Sequence, residues 1–125
     1  MSDDEISLRD TVNKKLEEGA KELQLPTDVY KEVVVSSLDQ TTNDLVALNK
    51  AIESGNFDDI QLISHRLKGT YANLRFDYLA NGAGEMNDLS KKAEGLDRIS
   101  ECYTKFKNDY ESFAAILKEK NNQDF

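Results

Sequence analysis

Apolar residues recur at steps of three and four along nearly the whole chain, and that period decides what it can fold into. Leu8, Val12, Leu16, Ala20 and Leu23 form one stripe, and Tyr30, Val34, Leu38, Thr41, Leu45, Leu48 and Ile52 a second. Ile60, Ile63, Leu67, Tyr71 and Leu74 form a third. A shorter fourth runs through Leu79, Ala83, Met86 and Leu89, and a fifth through Leu96, Ile99, Tyr103, Phe106, Tyr110, Phe113 and Leu117. This spacing gathers each set on one side of a 3.6-residue helix, where packing against other helices takes it out of water. No useful length of chain alternates with the period of two that a half-buried strand needs.

The residues between the stripes punctuate them. Gly19 weakens a helix by about 1 kcal/mol relative to alanine, so the first helix, about 5–23, should fray or stop near it. Pro26 is the only proline and falls where one helix should end and the next begin; Thr27 or Asp28 can cap the second. Gly55 can take the left-handed conformation that closes that helix. Asn56 then caps the third helix, with Asp58 and Asp59 in its first turn. A break is expected near Arg75-Phe76. Gly82 and Gly84 make the fourth helix the weakest by propensity. Lys91 to Gly95 reads as a turn, and the polar tail Asn121-Asn122-Gln123-Asp124 should fray.

Short connections between long amphipathic helices favour antiparallel neighbours. The expectation is an all-α protein: an antiparallel up-down-up-down four-helix bundle, core about 27–118, with an additional N-terminal helix, in a single domain over 1–125.

Charge and composition exclude several roles. A net charge of −8 lacks the electrostatic footprint for nucleic acid and disfavours anionic membranes. The longest apolar run, Val33-Val34-Val35, is far too short to span a bilayer. The N-terminus is acidic with no apolar stretch behind it, so no secretory signal is read there. Cys102 is the single cysteine and cannot form an internal disulfide. Together these point to a cytoplasmic protein, expected to be monomeric.

Chemistry concentrates on His65, the only histidine. With Ile60 as the zero of a helical wheel, the core stripe lies within about 60°, whereas His65 falls at about 140°. Lys68 lies at about 80°, Ala72 at about 120°, Gly69 at about 180° and Leu62 at about 200°. The imidazole should therefore face solvent on a patch that is small or apolar apart from Lys68. On position alone, an idle surface histidine is the commoner outcome. If the site is active, Lys68 can neutralise a phosphate on the imidazole as a mobile point charge. Gly69, lacking a Cβ, would let the phosphate and a partner's loop approach, its alternative being a glycine that fits close helix packing. Leu62, Ala72 and Phe76 would supply apolar docking area.

His65-Arg66-Leu67-Lys68-Gly69-Thr70 resembles the H-x-L-K-G-[S/A/T] signature of histidine-containing phosphotransfer (HPt) domains. Leu25-Pro26-Thr27-Asp28-Val29-Tyr30, Ala51-Ile52-Glu53-Ser54-Gly55-Asn56 and Ala72-Asn73-Leu74 extend the likeness over roughly residues 20 to 117. The resemblance implies a helical phosphocarrier without kinase activity of its own. It makes His65 the phosphorylated residue, Lys68 the phosphate-side cation and Gly69 the access residue. The family often has a polar Gln or Glu on the following helix. That position falls at Asn87, which could hydrogen-bond the imidazole or the phosphate, or be a plain exposed asparagine. Two departures stand out. The family commonly has glycine at Arg75, which could alter docking or the helix boundary, and a small residue at Tyr71, which should alter core packing.

The implied reaction is in-line phosphoryl transfer between His65 and aspartates of receiver domains in response regulators or hybrid histidine kinases. No carboxylate cluster suited to Mg²⁺ lies beside His65 in sequence, so no cofactor is expected on this chain and the metal should come from the partner receiver. The alternative is a bundle that binds a receiver or other signalling partner without accepting phosphate. A kinase module is disfavoured by the lack of a glycine-rich nucleotide loop. A metal site is disfavoured because one histidine and one distant cysteine make no ligand set.

Overall fold

The computed structural model describes the backbone of residues 3–123 and the side chains of residues 10–118. Five α-helices follow one another, with no strand among the described residues: α1 (Asp3–Glu22), α2 (Thr27–Ser54), α3 (Phe57–Asn73), α4 (Asp77–Lys91) and α5 (Leu96–Gln123).

Three of the helix ends are turned by one device. After α1, Leu25 N–H donates to Ala20 at 2.9 Å and Gln24 N–H to Lys21 at 3.2 Å. After α2, Asn56 bonds back to Ala51 at 2.9 Å and Gly55 to Ile52 at 3.1 Å. After α3, Phe76 bonds back to Tyr71 at 2.9 Å and Arg75 to Ala72 at 3.1 Å. Each is a Schellman pair, which satisfies carbonyls that the helix leaves open. The pivot residue is left-handed every time, with φ of 57° at Gln24, 66° at Gly55 and 67° at Arg75. Glycine occupies one of the three places.

Several boundaries differ from the expected ones. Helix α1 does not stop at Gly19 but runs to Glu22, because the missing side chain is used in packing. A Cβ at Gly19 would lie 2.5 Å from the Tyr30 hydroxyl oxygen. Leu23 falls beyond the helix and is 36% exposed, so it leaves the expected stripe; the side chain of Leu8 lies outside those described. Neither Thr27 nor Asp28 is the cap of α2. The carbonyl of Pro26 accepts the first helical bond, from Tyr30 N–H at 3.0 Å, which places Thr27 inside the helix and Asp28 in its first turn. Helix α4 is continuous despite its two glycines. Helix α5 persists through Asn121 and Asn122 to Gln123, while Asp124 lies outside the described residues.

The chain divides into two compact units, residues 1–38 with 111–125 and residues 39–110. In the first, Val12, Leu16, Tyr30, Val34 and Phe113 are buried. In the second, Leu48, Ile60, Leu67, Leu79, Met86 and Phe106 are buried. Side chains in this second unit meet in opposite-running register. Between α2 and α3, Thr41 meets Tyr71 (2.7 Å between hydroxyls) and Asp44 meets Arg66. Between α3 and α4, Gln61 meets Asn87 and Lys68 meets Gly84. Between α2 and α5, Thr42 meets Tyr110 and Leu45 meets Tyr103. Tyr71 projects inward as its place on the stripe requires, its ring edge-on to Phe106 at 6.3 Å.

Candidate functional site

Helix α3 begins where Asn56 Oδ1 accepts the Asp59 N–H at 3.1 Å, so the phase of every later residue is set by that cap. Ile60, Ile63, Leu67 and Tyr71 then point inward. His65 emerges on the exposed side, as do Leu62, Lys68, Gly69 and Ala72. Leu62 is 62% exposed, the most solvated large apolar side chain described. Neither the imidazole nor the Lys68 ammonium has a hydrogen bond or ion pair among the described residues. Both are available to something that arrives from outside.

Gly69 is open. A Cβ there would meet nothing within 4 Å. Close helix packing therefore does not explain this glycine, since no neighbouring helix approaches it.

Phe76 is not part of the exposed patch. It is fully buried. The left-handed turn at Arg75 breaks the helical phase, so Phe76 becomes the cap residue of α4 and its ring swings into the core. Arg75 itself lies at that turn, its guanidinium Nη1 donating to Ala72 O at 3.2 Å. The boundary between α3 and α4 falls at this residue.

Asn87 is not a plain exposed asparagine either. It is 1% exposed, and its Nδ2 donates to the backbone carbonyl of Gln61 at 2.9 Å and to Ser64 Oγ at 3.4 Å. In an α-helix the Gln61 carbonyl is the one that accepts the N–H of His65. Asn87 thus grips the backbone unit on which the imidazole is mounted. Because that carbonyl can only accept, the amide nitrogen must face it, and Oδ1 points the other way. Oδ1 is buried with no partner among the described residues. Asn87 is one of the residues lining an open cleft of about 610 Å³, with Asp58, Asp59, Gln61, Leu62, His65 and Lys91.

Lys91 was not anticipated. It lies one turn after Asn87 on α4, so an i, i+4 reading from Asn87 would have found it. Arg66 was also missed. Its guanidinium holds Asp44 of α2 at two points, Nη2 to Oδ1 at 2.6 Å and Nε to Oδ2 at 3.2 Å. The Asp44 carboxylate and its hydrogen bond keep the Arg66 pKa raised, against a smaller opposing effect of burial. Gln40 Nε2 adds a third bond to the carboxylate at 3.0 Å.

Elsewhere, burial is the chief cause that pushes the Cys102 thiol up, followed by the charge of Glu85. Such a thiol is a poor nucleophile at neutral pH. Among the described residues no group of three or more His, Cys, Asp or Glu side chains could hold a metal ion, and no helix is long and apolar enough to cross a membrane.

The exposed side of α3 thus presents an imidazole, an ammonium one turn on and an open glycine beside it. The Hpt domain model matches residues 32–116, so the chain belongs to the Hpt family. Hpt domains serve histidine phosphotransfer in phosphorelay signalling and are not kinases. The match starts within α2, so α1 and the Leu25–Tyr30 stretch lie outside it. No curated protein and no solved structure matches the chain.

Proposed function

We propose that this chain is a phosphorelay intermediate in which His65 takes a phosphoryl group from the aspartyl phosphate of one receiver domain and returns it to another. The observation that carries this is the empty space over Gly69, next to an imidazole and an ammonium that bind nothing among the described residues. A glycine in mid-helix costs about 1 kcal/mol against alanine, and no internal contact uses the room it leaves. An incoming protein loop does.

In the transfer, a neutral imidazole nitrogen attacks the phosphorus as the bond from phosphorus to the aspartyl oxygen breaks and the carboxylate leaves; the reverse step regenerates the imidazole. Positioning and charge stabilisation carry such reactions. Lys68 faces the phosphoryl oxygens, and Lys91, on the same cleft as His65, adds a second cation. Asn87 acts through the backbone that carries the imidazole rather than on the phosphate, since its amide donor holds the Gln61 carbonyl. Leu62 and Ala72 provide apolar docking surface. The Mg²⁺ that the chemistry needs belongs to the receiver. The opposite-running contacts of α2 to α5 support an up-down-up-down four-helix bundle, and the single cysteine and net charge of −8 suit the cytoplasm.

Incubation with a phosphorylated receiver and Mg²⁺ should label the protein in an acid-labile, alkali-stable form, and His65→Gln should abolish the label. Equal labelling of the variant would overturn the assignment of His65, whereas no labelling of either protein would leave the non-accepting docking module.

A further inference from the structure

Gly84, the second glycine of α4, is buried, and the atoms nearest to it belong to a single side chain. A Cβ at Gly84 would meet Lys68 Cδ at 3.5 Å, Cε at 3.6 Å and Cγ at 4.0 Å, and these are its three nearest atoms. Three consecutive carbons of the lysine stem therefore lie across the bare backbone of α4. Gly84 needs no left-handed conformation, its φ being absent from the positive-φ positions. What its missing side chain leaves room for is the stem of Lys68. A long, flexible lysine emerging from α3 would otherwise sample many rotamers, and ordering it costs conformational entropy. The bare glycine backbone under the methylenes restricts them while the charged end stays in water.

We propose that Gly84 is a positioning residue for Lys68, giving the stem a track along α4 so that the ammonium is presented on the exposed side of α3 with His65. This rests on the reading of Lys68 as the phosphate-side cation. The spacing sets a size limit. A single methyl at position 84 makes ordinary van der Waals contact with the stem, whereas a branched or longer side chain must displace it.

The test uses Gly84→Ala, Gly84→Val and Gly84→Leu in the full chain, each alone and with Lys68→Ala. Reductive methylation with a carbon-13 label reports the Lys68 ammonium by NMR without any phosphate chemistry. Gly84→Ala should keep the wild-type Lys68 resonance and the wild-type phosphohistidine lifetime. Gly84→Val and Gly84→Leu should shift and sharpen that resonance and shorten the lifetime by about two- to fivefold, the weight of one solvent-exposed charge contact. Neither should shorten it further once Lys68 is alanine. Should one of the two larger variants fail to fold, the other decides.

An unmoved Lys68 resonance in a folded Gly84→Leu or Gly84→Val protein overturns the proposal, as does a lifetime loss that persists in the Lys68→Ala background. If Lys68→Ala alone leaves the lifetime unchanged while the resonance still responds to Gly84→Leu, then the phosphate role of Lys68 is lost and the positioning stands.

Discussion

Arg66 and Asp44 are joined by two parallel bonds, at 2.6 and 3.2 Å, one residue along from the histidine. The pair is lopsided: the Arg66 side chain is 48% exposed and that of Asp44 4%. Its two halves should therefore fail differently. Asp44→Asn leaves a guanidinium that can rejoin water and should cost about 1 kcal/mol. Arg66→Ala leaves a nearly buried carboxylate with Gln40 as its remaining named partner and should cost about 2–3 kcal/mol. Urea unfolding of the two variants reads the difference, and an equal or reversed order would contradict this account.

Two glycines should respond to alanine with opposite signs. At Gly69 the added methyl meets nothing, so Gly69→Ala should stabilise the fold by about 1 kcal/mol through helix propensity. It should at the same time slow transfer from a receiver. At Gly19 the methyl would sit 2.5 Å from the Tyr30 hydroxyl oxygen. Overpacking of about 1–3 kcal/mol there outweighs the propensity gain. Thermal denaturation of the pair gives the signs directly.

Arg75 holds a left-handed φ of 67° that glycine adopts freely. Arg75→Gly should raise stability by about 0.5–1 kcal/mol, once the greater freedom of an unfolded glycine is set against the relief of strain. It should leave the α3 to α4 boundary unchanged, which backbone chemical shifts across Asn73 to Asp77 would show.

The Tyr78 hydroxyl is buried without a partner among the described residues, and burial, then the charge of Asp109, pushes its pKa up to about 12. The folded state thus holds the phenol proton more tightly than the unfolded chain, whose phenol titrates near 10. Stability from this group is complete below pH 10 and falls between pH 10 and about pH 12. Tyr78→Phe should remove that part of the alkaline loss. At neutral pH it should be neutral or stabilising by up to about 1 kcal/mol, because no bond is given up. Denaturant midpoints at pH 7 and pH 11 for the two proteins test both halves.

Helix α3 was readable because its cap, its stripe and its exposed side are all local: Asn56 sets the phase, and Ile60, Ile63, Leu67 and Tyr71 follow at the helical period. Phe76 was misread for the same local reason, since a wheel carried past Arg75 ignores the left-handed turn that resets the angle. Propensity alone would end α1 at Gly19, and Tyr30 overrules it from the next helix. The burial of Asn87 did leave a trace in the pattern, as it stands four residues after Ala83 and three before Ser90, both buried. The Arg66–Asp44 pair left none. Its members are 22 residues apart on different helices, and no spacing rule links them.

The bend between α3 and α4 is written in amides rather than in a side chain. Phe76 and Arg75 turn the chain with N–H groups that every residue but proline possesses, so the letter at this corner can wander through descent while the corner itself survives. Glycine would sit at this corner with less strain, but the corner does not depend on it.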